Sequence, residues 1–291
     1  MSEVNYRAAR SEDIPEMADL FLIALNNLYA RNSVTAAIPP RPAVLQGYEH
    51  IRSTGNFQIA ELEGRIVAIA GAVVRDHIWY LSSFWAHPEL QRKKIGMPLL
   101  KRVWDAGREA GATIFFTWSS IDLTAMASYM KLGMLPGYQN FFFDGVPQRL
   151  PEVPSGYEVV ALEKAAAMEL DQYIRGTSRQ ADHDFWFNNP NLQAKQVAQN
   201  GKVIGYYYLN RGVIGPAAWR YPEDAELLLI LACREASALA IQIRIAVPGI
   251  NHSAVRFAFE AGLRLTSFAH FLSTGSFGRM EQYIPSGQSL Y

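Results

Sequence analysis

Between Phe84 and Leu100 the chain carries residue types that could hold a phosphate. Arg92, Lys93 and Lys94 place three positive charges in a row, with Gln91 before them and Ile95, Gly96 and Met97 after. The apolar spacing then changes. Ile95, Leu99 and Val103 form one i, i+4 row, and Gly96, Leu100 and Trp104 form the row beside it, which predicts a helix. Pro98 fits only in its first turn, where a residue needs no backbone donor. Upstream, Ile78 to Trp85 reads as a strand. The basic residues therefore stand at a helix N-terminus just past a strand end. Unpaired N–H groups and the positive end of the helix dipole converge there on any anion. The implied ligand bears phosphate.

Composition sets bounds on the whole. At 291 residues, with 49% hydrophobic and 19% charged, the chain is long enough for two cores and too apolar for disorder. The 27 basic and 27 acidic residues cancel, which argues against a general nucleic-acid binder and leaves a local anion site intact. The one cysteine, Cys233, excludes an internal disulfide, fits a reducing compartment and reads as a buried structural thiol. No signal peptide opens the chain and no apolar run reaches about 18 residues. The expectation is a cytoplasmic protein with no membrane partner.

Other elements must position the basic turn. Tyr6 to Arg10 is a short strand candidate. Ser11 reads as an N-cap, with Glu12 and Asp13 suited to the helix dipole, before the stripe Ile14, Ala18, Phe21, Leu22 and Leu25. Pro39, Pro40 and Pro42 mark a loop. Phe57 to Leu62 and Ile66 to Val74 are strands joined at Glu63-Gly64, a hairpin signal. The helix after the basic turn ends near Gly111. Thr113 to Trp118 is a buried strand, a short helix runs from Asp122 to Gly133, and Phe141 to Phe143 closes this half.

Two stretches together resemble the GNAT (general N-acetyltransferase) superfamily. The run Ala86-His87-Pro88-Glu89-Leu90-Gln91-Arg92-Lys93-Lys94-Ile95-Gly96 is similar to its pyrophosphate signature, hydrophobic-x-Pro-x-x-(Gln/Arg)-x-x-Gly-x-(Gly/Ala). Gln91 and Gly96 match, and Lys94 replaces the first glycine. Glycine is favoured where backbone approaches a phosphate or takes φ > 0; lysine keeps the N–H and adds an ammonium. Asp122 to Met134 resembles the second signature, Asn-x-x-Ala-x-x-x-Tyr-x-x-x-Gly-hydrophobic, with Ala125, Tyr129 and Gly133 matching and Asp122 in the Asn place. The resemblance covers residues 4–145.

The resemblance implies acetyl-CoA as co-substrate and no metal. It implies that the strand ending at Ala86 splays from Thr113 to Trp118 and that the pantetheine arm bonds backbone at Phe84, Trp85 and Ala86. The pyrophosphate would meet Gln91 and the N–H groups of Arg92, Lys93, Lys94, Ile95, Gly96 and Met97. Asp122 would orient the cofactor end or cap its helix, and Tyr129 would protonate the departing thiolate. The acceptor would be an amine of a small molecule or peptide. The base that frees that amine stays open: Asp76, His77 and Glu61 lie on neighbouring segments.

After Pro147 to Pro154, a linker, the pattern restarts. Tyr157-Glu158-Val159-Val160 echoes Tyr6-Arg7-Ala8-Ala9, and Asn200-Gly201 echoes Glu63-Gly64. Asn251, Ala254 and Gly262 each stand 129 residues after Asp122, Ala125 and Gly133. The expectation is an α/β fold of two tandem GNAT-like domains, 1–147 and 155–291, each a mostly antiparallel mixed sheet flanked by helices. The second copy has Ala258 where the first has Tyr129. Between its strand Arg211 to Ala218 and its helix Ala225 to Cys233 stands Trp219-Arg220-Tyr221-Pro222-Glu223-Asp224, with no phosphate pattern. It reads as a degenerate domain without cofactor. Phe185-Trp186-Phe187 and Tyr206-Tyr207-Tyr208 either wall an acceptor pocket or form core. His183, between Asp182 and Asp184, reads as a solvated loop rather than a metal site. The function expected is direct acyl transfer to an amine; the alternative is a non-catalytic acyl-CoA-binding or interaction protein with a decayed site. A homodimer is left open.

Overall fold

Glu63 and Gly64 both take positive φ, 53° and 75°, so Asn56–Leu62 (β2) and Arg65–Arg75 (β3) fold back as a tight hairpin. The computed structural model describes residues 3–153 and 155–291. Pro154, which ends the expected linker, and Met1 and Ser2, which begin the first expected domain, lie outside the described residues. The chain divides into two compact units: Met1–Leu135 with Leu272–Gly275, and Pro136–Phe271 with Ser276–Tyr291.

In the first unit, β1 (Asn5–Ala8), β2, β3, β4 (Ile78–Ala86) and β5 (Ile114–Ser119) lie side by side in that order. Neighbours are antiparallel except β4 and β5, which are parallel because α3 (Gly96–Glu109) carries the chain across between them. Leu99, Leu100 and Val103 of α3 share one buried cluster with Trp79, Leu81 and Phe115, each contributing about 2 kcal/mol. The Trp79 indole N–H donates to the Val103 carbonyl at 3.1 Å. α1 (Ile14–Arg31) and α2 (Arg41–Thr54) also pack on the sheet: Phe21 meets Trp85 edge-on at 5.1 Å, and Tyr48 meets Phe57 at 5.0 Å. The short α4 (Leu123–Lys131) follows β5.

Two expectations are corrected here. Pro40 and Pro42 do not merely mark a loop; they open α2, with Pro40 as N-cap and Pro42 in the first turn, where a missing N–H costs nothing. The cap before α1 is not Ser11: the Asp13 carboxylate accepts the Arg10 N–H at 2.6 Å, and the Ser11 hydroxyl bonds Glu49 instead.

The second unit repeats the architecture. Its strands run in the order β12 (Arg264–Ser273), β6 (Leu135–Gly145), β11 (Ile243–Pro248), β10 (Val213–Trp219), β9 (Lys202–Asn210), β8 (Leu192–Gln199) and β7 (Tyr157–Ala161). A short β13 (Tyr283–Ile284) pairs with β10. The helices are α5 (Lys164–Arg175), α6 (Gln180–Phe187), α7 (Ala225–Leu239) and α8 (His252–Glu260). Asn200 and Gly201 form the second hairpin turn, with φ of 51° and 74°.

The segment Phe141 to Phe143, expected to close the first half, pairs along β11 instead, from Ile243↔Gly145 to Pro248↔Asn140. Strand alternation fixes which face is apolar, not which neighbour is chosen. Residues 272–275 belong to the first unit, where the Thr274 N–H donates to the Phe115 carbonyl at 2.9 Å. His183 is not in a solvated loop: it lies on α6 and is wholly buried, as is Asp182. Tyr206, Tyr207 and Tyr208 are core residues. Cys233 is buried, and burial pushes its thiol up to about 12. Among the described residues no helix is long and apolar enough to cross a membrane, and no cluster of metal-ligating side chains occurs.

Candidate functional site

β4 carries one extra residue relative to β3, between Leu81 and Ser83. Such a bulge bends a strand and increases its twist. The consequence is visible on the other side. β4 pairs with β5 only from Ile78↔Ile114 to Leu81↔Thr117, yet stays paired with β3 as far as Ala86. Past the bulge, the β5-facing edge of β4, at Ser83 to Ala86, has no strand partner in that pairing. An extended chain bearing amides could complete it.

The basic turn follows. Arg92 and Lys94 both take left-handed backbone, with φ of 65° and 64°. Lys94 thus adopts the conformation that favours glycine, at a cost of about 1–2 kcal/mol. Arg92, Lys93 and Lys94 are exposed, while Ile95 anchors the turn in the core. Among the described residues, Ile95, at the N-cap of α3, gives no side-chain cap hydrogen bond, so the first amides of the helix are left for another acceptor. Gly96 is small for a packing reason: a Cβ there would stand 3.0 Å from the Phe84 ring. That ring also packs against Tyr129, with centroids 6.0 Å apart. Phe84, Gly96 and Tyr129 are thereby brought together, and Met97 and Ala86 pack on the same cluster.

Tyr129 is buried on α4. Burial raises its phenol far above the usual value, and the Asp122 carboxylate raises it further. The group is a protonated donor at neutral pH. Asp122 caps α4: its carboxylate accepts the N–H groups of Thr124 at 2.8 Å and Ala125 at 3.2 Å. Its other oxygen pairs with Arg31, whose guanidinium also donates to the Gln91 side chain at 3.0 Å. The last turn of α1 therefore ties the basic turn to the start of α4. Arg31 was not singled out from sequence, and nothing local signals it, since its partners lie 60 and 91 residues away.

The base candidates do not reach this cluster. Asp76 and His77 are exposed at the start of β4, about 20 Å along the strand from the splayed end. Glu61 is held by Arg7 at 2.8 and 3.0 Å, and the guanidinium keeps its carboxyl below the usual range. On the α2 face the buried Tyr48 hydroxyl lies 2.9 Å from that of Ser83, beside the bulge. The buried tyrosine is raised by desolvation and is no base.

Residues 22–134 match the model of the Acetyltransferase (GNAT) family. No curated protein matches the sequence. Solved structures are similar along nearly the whole length. One from Pyrococcus horikoshii, assigned as an acetyltransferase, has a TM-score of 0.79 at 18% identity, covering 99% of this chain and 96% of its own. A tandem GNAT protein from the clavulanic acid biosynthesis pathway has a TM-score of 0.65 at 14% identity, covering 94% and 99%. A GCN5-related N-acetyltransferase from Sphaerobacter thermophilus has a TM-score of 0.67 at 15% identity, covering 93% and 95%. The matched segment belongs to the GNAT superfamily, and the chain as a whole has the fold of these GNAT structures.

Proposed function

We propose that the first unit transfers an acyl group, acetyl in the simplest case, from coenzyme A to an amine. The observation that carries this reading is the conjunction of a splayed β4 edge, an uncapped basic helix start and a buried protonated Tyr129 around one ring, Phe84. In it, the β4 edge from Phe84 to Ala86 receives the amide-bearing arm, and the amides of Arg92 to Met97 with the side chains around Gln91 receive the pyrophosphate. The amine nitrogen bonds to the thioester carbon and the carbon–sulfur bond breaks. Tyr129 gives its proton to the departing thiolate, and the amine's proton returns by way of solvent. Asp122 and Arg31 act on this chemistry by fixing α4 and the basic turn.

Glu61 and Asp122 are engaged by arginines, so the acceptor would arrive already neutral. Weakly basic amines fit that best. The same pairing, with strained Lys94, favours the second reading, a binding protein without turnover. The acceptor, small molecule or peptide, would be found by following thiol release with acetyl-CoA across a panel of amines. Tyr129→Phe should lower kcat at least tenfold and leave acetyl-CoA affinity within about twofold. Unchanged kcat would remove Tyr129 from this role, and binding without thiol release for any amine would leave the second reading.

A further inference from the structure

The second unit has its own bulge and splay. β10 carries an extra residue relative to β9 between Ile214 and Ala217, and its pairing with β11 stops at Ile214↔Ile245. Beyond that point β13 lies antiparallel along β10, with Ile284 opposite Ala217 and Tyr283 opposite Ala218. Side chains extend the contact. The Gln282 amide donates to the Trp219 and Arg220 carbonyls at 3.1 and 2.7 Å. Asn251, the counterpart of Asp122, donates to the Tyr283 carbonyl at 3.2 Å while capping α8. The Pro285 carbonyl approaches Gly215 so closely that a Cβ there would stand 2.4 Å from it, and Gly215 has φ of +132°. Only glycine allows this approach.

The buried polar cluster of this unit also serves that segment. Arg179 donates to the Tyr283 hydroxyl at 2.6 Å, and the Arg175 guanidinium lies over the Tyr283 ring at 4.5 Å. Arg179 is itself held by Asp182 at 3.0 Å. Behind it, Asp171 takes the Tyr206 hydroxyl at 2.5 Å and faces His183 at 3.3 Å. Burial opposes the Asp171 charge, but His183, Arg179 and Arg175 outweigh it and keep the carboxyl below its usual range. Met280, Gln282, Tyr283 and Ile284 are all buried.

We propose that the second unit's cleft is a strand-binding site whose permanent occupant is the chain's own 280–285 segment, so that each chain takes up one acyl-CoA, in the first unit only. The site count rests on the function proposed above; the occupancy of the second cleft stands without it. A peptide strand makes the backbone hydrogen bonds that an amide-bearing arm would make. Being tethered, it competes at an effective concentration of roughly millimolar, without the entropy cost that a free ligand bears on binding. The loop Trp219 to Asp224 carries no phosphate pattern, and the strand supplies a second and stronger reason for this unit to take no cofactor.

The test is a lock. Ala217→Cys with Ile284→Cys puts two thiols directly across an antiparallel pair, within disulfide reach. The oxidised bond should form to near completion with or without saturating acetyl-CoA, and calorimetry should give one acetyl-CoA per chain in both locked and unmodified protein. Two per chain falling to one on locking, or crosslinking suppressed by acetyl-CoA, would overturn the proposal. No crosslinking in either condition would also overturn it. Absence of any acetyl-CoA binding would defeat the first-unit reading, while full crosslinking would still uphold the filled cleft. In the unmodified chain, hydrogen exchange at Gln282 to Ile284 should be as slow as in the β10 core and unmoved by acetyl-CoA; fast exchange there contradicts a permanent occupant.

Discussion

Replacing Asp122 in two ways separates its two bonds. Asp122→Ala removes the α4 cap, which accepts two backbone N–H groups, and the ion pair with Arg31. Losing an N-cap costs about 1 kcal/mol, and a partly exposed arginine–carboxylate pair adds about 0.5 kcal/mol. Asp122→Ala should therefore destabilise the first unit by about 1.5 kcal/mol. Asp122→Asn keeps an oxygen to accept the N–H groups of Thr124 and Ala125 and loses only the charge, so the cost should be about 0.5 kcal/mol. Urea unfolding followed by tryptophan fluorescence suits the measurement, because four of the six tryptophans, Trp79, Trp85, Trp104 and Trp118, lie in the first unit. Arg31→Ala, alone and with Asp122→Ala, completes a cycle whose coupling should be about 0.5 kcal/mol. Equal losses for Asp122→Ala and Asp122→Asn would refute the cap as the larger contribution. Zero coupling would refute the bridge from α1.

Other consequences follow from the same geometry. Lys94→Gly should relieve about 1–2 kcal/mol of left-handed strain, offset by about 0.5–1 kcal/mol of glycine entropy, for a net gain of about 0.5 kcal/mol or roughly 1–2 °C in Tm; calorimetry checks it, and acetyl-CoA affinity should fall several-fold as the ammonium is lost. Gly96→Val should displace the Phe84 ring and weaken acetyl-CoA binding at least tenfold in a titration, with little effect on the second unit. The Arg7 hydrogen bonds hold Asp13 below its usual carboxylate value of 3.8, despite partial burial. A depressed carboxyl gives stability that is complete above that value and is lost as pH falls through its lower folded value. Acid titration of Tm should therefore drop more steeply below about pH 4 in the wild type than in Arg7→Met.

What was legible in the sequence was what is local. The hairpin turns at Glu63-Gly64 and Asn200-Gly201, the strand–turn–helix around Gln91 to Gly96 and the paired positions of Asp122 and Asn251 are set by neighbours within a few residues, and the structure places them accordingly. Lys94 departs from the glycine pattern, yet its backbone takes the left-handed form glycine would take. Contacts at long range were not legible. Arg31 reaches Gln91 and Asp122 through folding of α1, and Phe141 to Phe143 choose β11 for a partner with no local cue. His183 has no partner at metal-ligand spacing and so reads as a solvated loop; helix geometry turns His183 and Asp182 inward together, where Arg179 and Tyr208 bond them. A buried charged cluster reads on paper like a polar loop.

In the function proposed above, the first unit holds an acyl-CoA between the β4 edge and the start of α3. Hydrogen exchange with and without saturating acetyl-CoA decides it. Slowed exchange at Phe84 to Ala86 and at Arg92 to Met97, with β10 unchanged, is the predicted result. Slowed exchange at Ala217 to Trp219, with the first-unit segments unmoved, would contradict it.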